Sequence, residues 1–205
     1  MEHANAPMEG WQGDAELLLS FLEGLVRDRQ LVLASSPYLT SKLFYDLCLQ
    51  HGVRTAGELR KALGEEDVTV LLAKNKQEAS RFAQGLQTAE HPFVLNPTVF
   101  VVDPASTRRR WSQREYFAFW NLVIAKKCRA LYFNQGWQFS NSCVFAYLSG
   151  LKAGAKLFDH ARNPLGLDTA KKLIRGAMGN LEDFGFDVRN LQAALEEIGS
   201  FARLG

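Results

Sequence analysis

The sequence predicts a doubly wound α/β fold: a mostly parallel sheet with helices on both faces and two helices at the end of the chain. Short β-branched and aromatic runs alternate with helical patterns between residues 30 and 158, the order that builds parallel strands through crossover helices. Those runs are almost wholly apolar instead of alternating, as strands covered on both faces are. Beyond residue 168 only helical periodicity remains.

Residues 1–12 hold Gly, Pro and Asn with little apolar content and read as a loose leader; residues 13–205 read as a single domain. In 14–27, Leu17, Leu18, Phe21, Leu22 and Leu25 fall on one helical stripe, with Asp14 placed as N-cap. Residues 30–34 read as a short buried strand ended by Ser35-Ser36-Pro37. Helical patterns follow at 40–51 and 55–63, the second opened by Thr55 and closed by Gly64. "DVTVLLAK" (67–74) reads as a strand, and 76–87 as a helix. His91-Pro92 and Asn96-Pro97 punctuate an extended stretch that leads to a strand at 99–102.

The helix at 112–127 has the clearest pattern: Tyr116, Phe119, Trp120, Val123 and Ile124 recur at helical spacing, and Phe117 and Leu122 widen the stripe. A strand at 129–133, a helix at 141–153 and a strand at 155–158 come next. Helix 168–184 turns Leu173, Ile174, Ala177, Met178 and Leu181 inward, and helix 188–203 does so with Leu191, Leu195 and Ile198. The expected architecture is flavodoxin- or Rossmann-like.

Composition narrows the function. A formal charge of +2 is too small to attract nucleic acid or a membrane surface. No apolar run reaches the roughly 18 residues of a membrane span. Cys48, Cys128 and Cys143 form no paired spacing, which suits a reducing cytoplasm. The chain carries no HExxH, CxxC pair, Walker or GxGxxG pattern, so no metal and no cofactor is expected. The apolar faces of the terminal helices and the aromatic helix would suit a homo-oligomer.

In such sheets ligands collect outside the carboxyl ends of the strands, near the switch in strand order. Three polar strand ends are therefore expected to converge: Ser35-Ser36-Pro37-Tyr38, Asp103-Pro104, and Asn134 to Ser142. Gly136 allows a tight turn, and Ser140 or Asn141 can cap the following helix. Capping leaves Trp137 unexplained; a ring beside free helix N–H groups suits a flat, partly anionic ligand such as a nucleoside or nucleotide. One turn below Ser142 and on its face lies Ala146, at the cleft edge and without chemistry of its own.

The supporting residues have plainer roles as alternatives. Ser36, Pro37 and Tyr38 also make a proline-initiated turn, and Asp103 also caps the turn at Pro104. Glu115, beside the apolar stripe, faces solvent or the cleft. Arg108-Arg109-Arg110 could fork onto a phosphate, with Arg110 nearest the helix, or could form a solvated surface. His160, in the turn after the last strand, could serve as an acid or base or have no such role.

Ser-Pro-Tyr after the first strand, Asp-Pro after a later one, Trp111-(4)-Tyr116, and "GWQFSNSC" (136–143) before a helix resemble the nucleoside 2-deoxyribosyltransferase-like superfamily. The likeness runs over 31–159, with the block 134–148 the most specific. It implies a flavodoxin-like sheet, sites at subunit interfaces, and an enzyme that makes or breaks N-glycosidic bonds. The family's nucleophilic glutamate falls on Ala146, and its small turn residue, often Gly, falls on Ser142. The resemblance further implies that Tyr38 and Ser36 contact base and sugar, and that Asp103 holds a sugar hydroxyl or moves a proton.

Retaining transfer needs a carboxylate within bonding reach of the anomeric carbon, and alanine has none. The expectation is a nucleoside or nucleotide N-glycosidic-bond hydrolase or transferase that is inactive as written. The alternative is a non-catalytic nucleotide-binding sensor or interaction module on the same fold. Two origins for Ala146 stand open, a naturally silent relative and an engineered Glu→Ala change that traps substrate.

Overall fold

A computed structural model describes residues 9–26, 30–100 and 112–201. Its centre is a four-stranded, wholly parallel sheet of β1 (Leu31–Ser35), β2 (Val94–Leu95), β3 (Cys128–Phe133) and β4 (Lys156–Phe158), ordered β2-β1-β3-β4. Around it run α1 (Glu9–Leu25), α2 (Lys42–Gln50), α3 (Ala56–Leu63), α4 (Glu65–Leu86), α5 (Gln113–Lys127) and α6 (Asn141–Lys152). The last two helices are α7 (Leu167–Asp183) and α8 (Arg189–Phe201).

Strand pleating sorts the core into two halves. Leu31, Leu33, Leu131 and Phe133 point into the larger core, shared with α5, α6, α7 and α8. Val32, Ala34, Ala130 and Tyr132 point the other way, onto Ala83 and Leu86 of α4. The strand order explains the division. The chain steps one way from β1 to β2, then back past β1 to β3 and β4. Right-handed crossovers then put α4 on one face and α5 and α6 on the other.

Local signals set several boundaries. Thr55 and Glu58 form a reciprocal capping box at α3, and Gly64 ends that helix at φ 92°. Ser112 and Glu115 do the same for α5. Gly150 lets α6 approach the sheet closely, because a Cβ there would sit 2.8 Å from Leu157 Cδ2 and 3.1 Å from Leu131 Cδ2.

The main correction concerns residues 67–87. The expected strand at 67–74 and helix at 76–87 are one 22-residue helix, α4. Val68, Leu71, Asn75, Ala79, Ala83 and Leu86 are its buried side, a helical stripe that a short β-branched run conceals. The second strand is instead the two-residue β2, inside the stretch read only as extended. The expected strand at 99–102 begins in a 3-10 turn, Pro97–Phe100, and its remainder lies outside the described residues.

At the N-terminus α1 begins at Glu9, so part of the expected leader is helical and Asp14 lies inside the helix and not at its cap. Among its described side chains Leu19 and Leu22 are buried, as is Val26 just beyond it, while Leu17 and Phe21 face outward at 71% and 64% exposure. Leu122 and Leu173 are also on the outer edges of their helices. The three cysteines are buried. Among the described residues no helix is long and apolar enough to cross a membrane.

Substituting Gly150→Val drives two methyls into Leu157 and Leu131. The expected loss is about 1–3 kcal/mol, read as a lower urea midpoint with an unchanged slope.

Candidate functional site

Two of the three expected loops converge at the switch point between β1 and β3. Strand pairing runs to the last residues, Ser35 opposite Phe133, and the Asn134 N–H then donates to the Ser35 carbonyl at 2.9 Å. The β1–α2 loop and the turn before α6 therefore leave the sheet side by side. The third strand end, Asp103-Pro104, lies outside the described residues, as does Arg110 of the arginine run. Thr98, in the turn that leads toward them, reaches the site.

Between these loops and α5 opens a cleft of about 460 Å³. The β1–α2 loop lines it with Ser36 and Tyr38, and the start of α6 with Asn141, Ser142 and Ala146. The third wall is aromatic: Tyr116, Phe117 and Trp120 of α5, with Phe145 of α6. Phe117 and Phe145 stack at 4.4 Å and 14°, which closes the gap between the two helices.

Ala146 is 8% exposed, and its methyl serves both the core and the cleft wall. Ser142 bonds at 3.0 Å to Ser140, which is fully buried and also accepts from Thr40 at 3.5 Å. Ser140 thus sits behind the wall, tying α6 to the β1–α2 loop. It occupies the N-cap position of α6 but makes no side-chain capping bond.

Trp137 is not at the cleft. Gly136 takes a left-handed turn, φ 77°, and the following ring goes inward, stacking on Tyr147 at 5.3 Å and 23° and tilting against Phe133. At 3% exposure it is a core residue and offers no face to a ligand. Pro37 lines a separate groove across the β1–α2 loop, with Ser41, Asn75 and Gly136. The Glu115 carboxylate accepts from the Ser112 N–H at 2.6 Å in the α5 capping box and is not part of the wall. His160 is exposed in the turn beyond β4.

No family model, curated protein or solved structure matches the chain.

The described walls of the cleft are uncharged. Among the described residues that line it there is no Asp, Glu, Lys, Arg or His. Burial pushes the Tyr116 phenol up to about 12, with a bond from Trp120 opposing the shift. Burial likewise pushes the Cys143 thiol up, against the hydroxyls of Ser35, Ser140 and Ser142 beside it. Both groups keep their protons near neutral pH.

One polar atom stands out. Ser36 is 7% exposed, lines the cleft, and its hydroxyl makes no hydrogen bond. Sequence reading found Ser36 and Tyr38 but assigned the α5 aromatics to the core. One flank of that stripe is core and the other is cleft wall, a division that periodicity cannot express.

Trp137→Ala removes a stacked core ring, so unfolding stability should drop by about 3–5 kcal/mol in urea titration. Trp137→Phe should keep most of that stability and leave ligand affinity at the cleft unchanged, measured by calorimetry; a ligand contact would lose affinity.

Proposed function

We propose that the chain is a nucleoside- or nucleotide-binding protein related to the N-glycosidic-bond enzymes it resembles, and that it holds its ligand without cleaving it. The observation that carries this reading is the position of Ala146 in the wall of the switch-point cleft, which Ser36 and Tyr38 also line. A flat heterocycle fits a site with an aromatic wall and a few hydroxyls and amides. Glycosidic cleavage with retention needs a carboxylate at the anomeric carbon. A methyl at that place leaves binding intact and removes the nucleophile.

The test compares the chain as written with Ala146→Glu. The unaltered chain should bind at least one nucleoside or nucleotide in a calorimetric panel and release no free base from it. The glutamate variant should release base from the same ligand, detected chromatographically. A folded variant that stays inert on every ligand the parent binds would remove the enzyme relationship; an unaltered chain that binds none would remove the whole reading.

The described walls also set a pH dependence. Tyr116 deprotonates only near about 12, and the Cys143 thiol is raised by burial. Neither changes charge on going from pH 5 to pH 8, roughly, so affinity for a ligand that does not itself titrate should stay flat across that interval. Calorimetry at several pH values checks this.

A further inference from the structure

The groove across the β1–α2 loop from the cleft is about 640 Å³ in volume and lies between the start of α2 and one side of α4. We propose that it is a binding site for a free, apolar α-amino acid, separate from the cleft and independent of the function proposed there. Ser41 and Asn75 are its buried part, at 8% and 4% exposure, and Glu78 and Arg81 its exposed part.

Both buried side chains are held by the protein and still have bonding capacity left. A backbone carbonyl only accepts, so the 2.7 Å contact with the Tyr38 carbonyl makes Asn75 Nδ2 the donor there. The same Nδ2 donates to Ser41 Oγ at 3.4 Å. The amide is thereby oriented, and among the described residues nothing donates to its Oδ1. Ser41 Oγ accepts from Asn75 and from the Phe44 N–H at 3.2 Å. Both its lone pairs are then used, and its own proton is left to donate. The groove thus presents one acceptor and one donor on side chains joined to each other, within the reach of a single small molecule.

The charges sort the two ends of that molecule. Glu78 and Arg81 stand one turn apart on α4 and bring opposite charges to the groove. Lys42, a second cation beside it, is held by Asp46 at 2.8 Å. A guanidinium and a hydroxyl proton suit a carboxylate, and the positive end of α2 adds to them. A carboxylate and an amide oxygen suit an ammonium. Both charges on one carbon make an α-amino acid. Leu43 is 37% exposed, and with Phe82 and Pro37 it gives an aliphatic or aromatic side chain a surface to cover.

Two measurements test this. The first titrates L-leucine, L-phenylalanine, glycine, leucinamide and N-acetyl-L-leucine into the full chain, followed by calorimetry and by amide chemical shifts. Leucine or phenylalanine should bind, with shifts centred on the Asn75 side-chain amide and the Leu43 N–H. Glycine, leucinamide and N-acetylleucine each lack one recognised group and should bind at least roughly tenfold more weakly. Silence from both leucine and phenylalanine up to roughly 10 mM overturns the proposal, and so do shifts centred on Tyr116 and Ala146 of the cleft. N-acetylleucine binding as tightly as leucine overturns the free amino acid in favour of the C-terminal residue of a peptide.

The second uses two exposed positions, where substitution leaves the fold intact. Arg81→Gln and Glu78→Gln should each lower affinity for the bound amino acid roughly tenfold, with the thermal midpoint of the ligand-free protein unchanged. Glu78→Gln should leave affinity for N-acetylleucine as it was, because the ammonium is already missing there. Unchanged amino acid affinity in both variants overturns the assignment of the two charges.

Discussion

Everything at the site depends on how β1 and β3 pair. Leu31–Ser35 lies parallel to Cys128–Phe133, and the pairing runs to the final residues before ending in the Asn134 N–H to Ser35 carbonyl bond. That seam fixes the level at which both chains leave the sheet. One residue of slip would turn Leu33, Leu131 and Phe133 out of the larger core and expose the set to the α4 face. The cleft is thus a consequence of register. Its depth follows from where the seam stops, and its side walls from the two helices that crossover handedness puts on the same face.

The aromatic wall follows from the same geometry. Helix α5 must cover the sheet with Phe119, Val123 and Ile124, yet a cylinder on a twisted sheet meets it along only part of its length. Near its start, Tyr116 and Phe117 pass the end of the seam and turn toward the cleft beside Trp120. Phe117 then closes on Phe145 across the gap. Packing and binding surface are one continuous stripe.

The elements that could be read in the sequence are those whose signals are long or capped. Helices α5, α7 and α8 repeat their apolar spacing over three or more turns, and Thr55 and Ser112 announce their helices through capping boxes. Strands β1 and β3 are apolar runs between polar turns. Residues 67–74 failed because "DVTVLL" satisfies a strand and a helix alike over so short a span. Only Asn75, Ala79 and Ala83, small or polar residues with little weight in an apolar count, continue the stripe and decide for the helix. Trp137 failed for a different reason. Gly136 was recognised as a turn, but the direction in which the turn sends the next side chain is set by Tyr147 and Phe133, which are distant in sequence. The positions of Ser36, Tyr38, Ser142 and Ala146 were legible because strand ends and helix starts carry their own addresses in an α/β fold.

Among the described residues the cleft walls are uncharged, and the Ser36 hydroxyl on them is unpaired. A carboxylate at position 146 would enter an apolar wall already shared with the core, where desolvation raises its pKa and costs stability unless a partner is supplied. The described walls offer hydroxyl and amide donors but no cation. With alanine there, the wall can pack tightly and α6 can approach the sheet through Gly150. Among the described wall residues, the Ser36 hydroxyl is buried and makes no hydrogen bond. A small unmet bond gives a ligand somewhere to add free energy that water does not already supply.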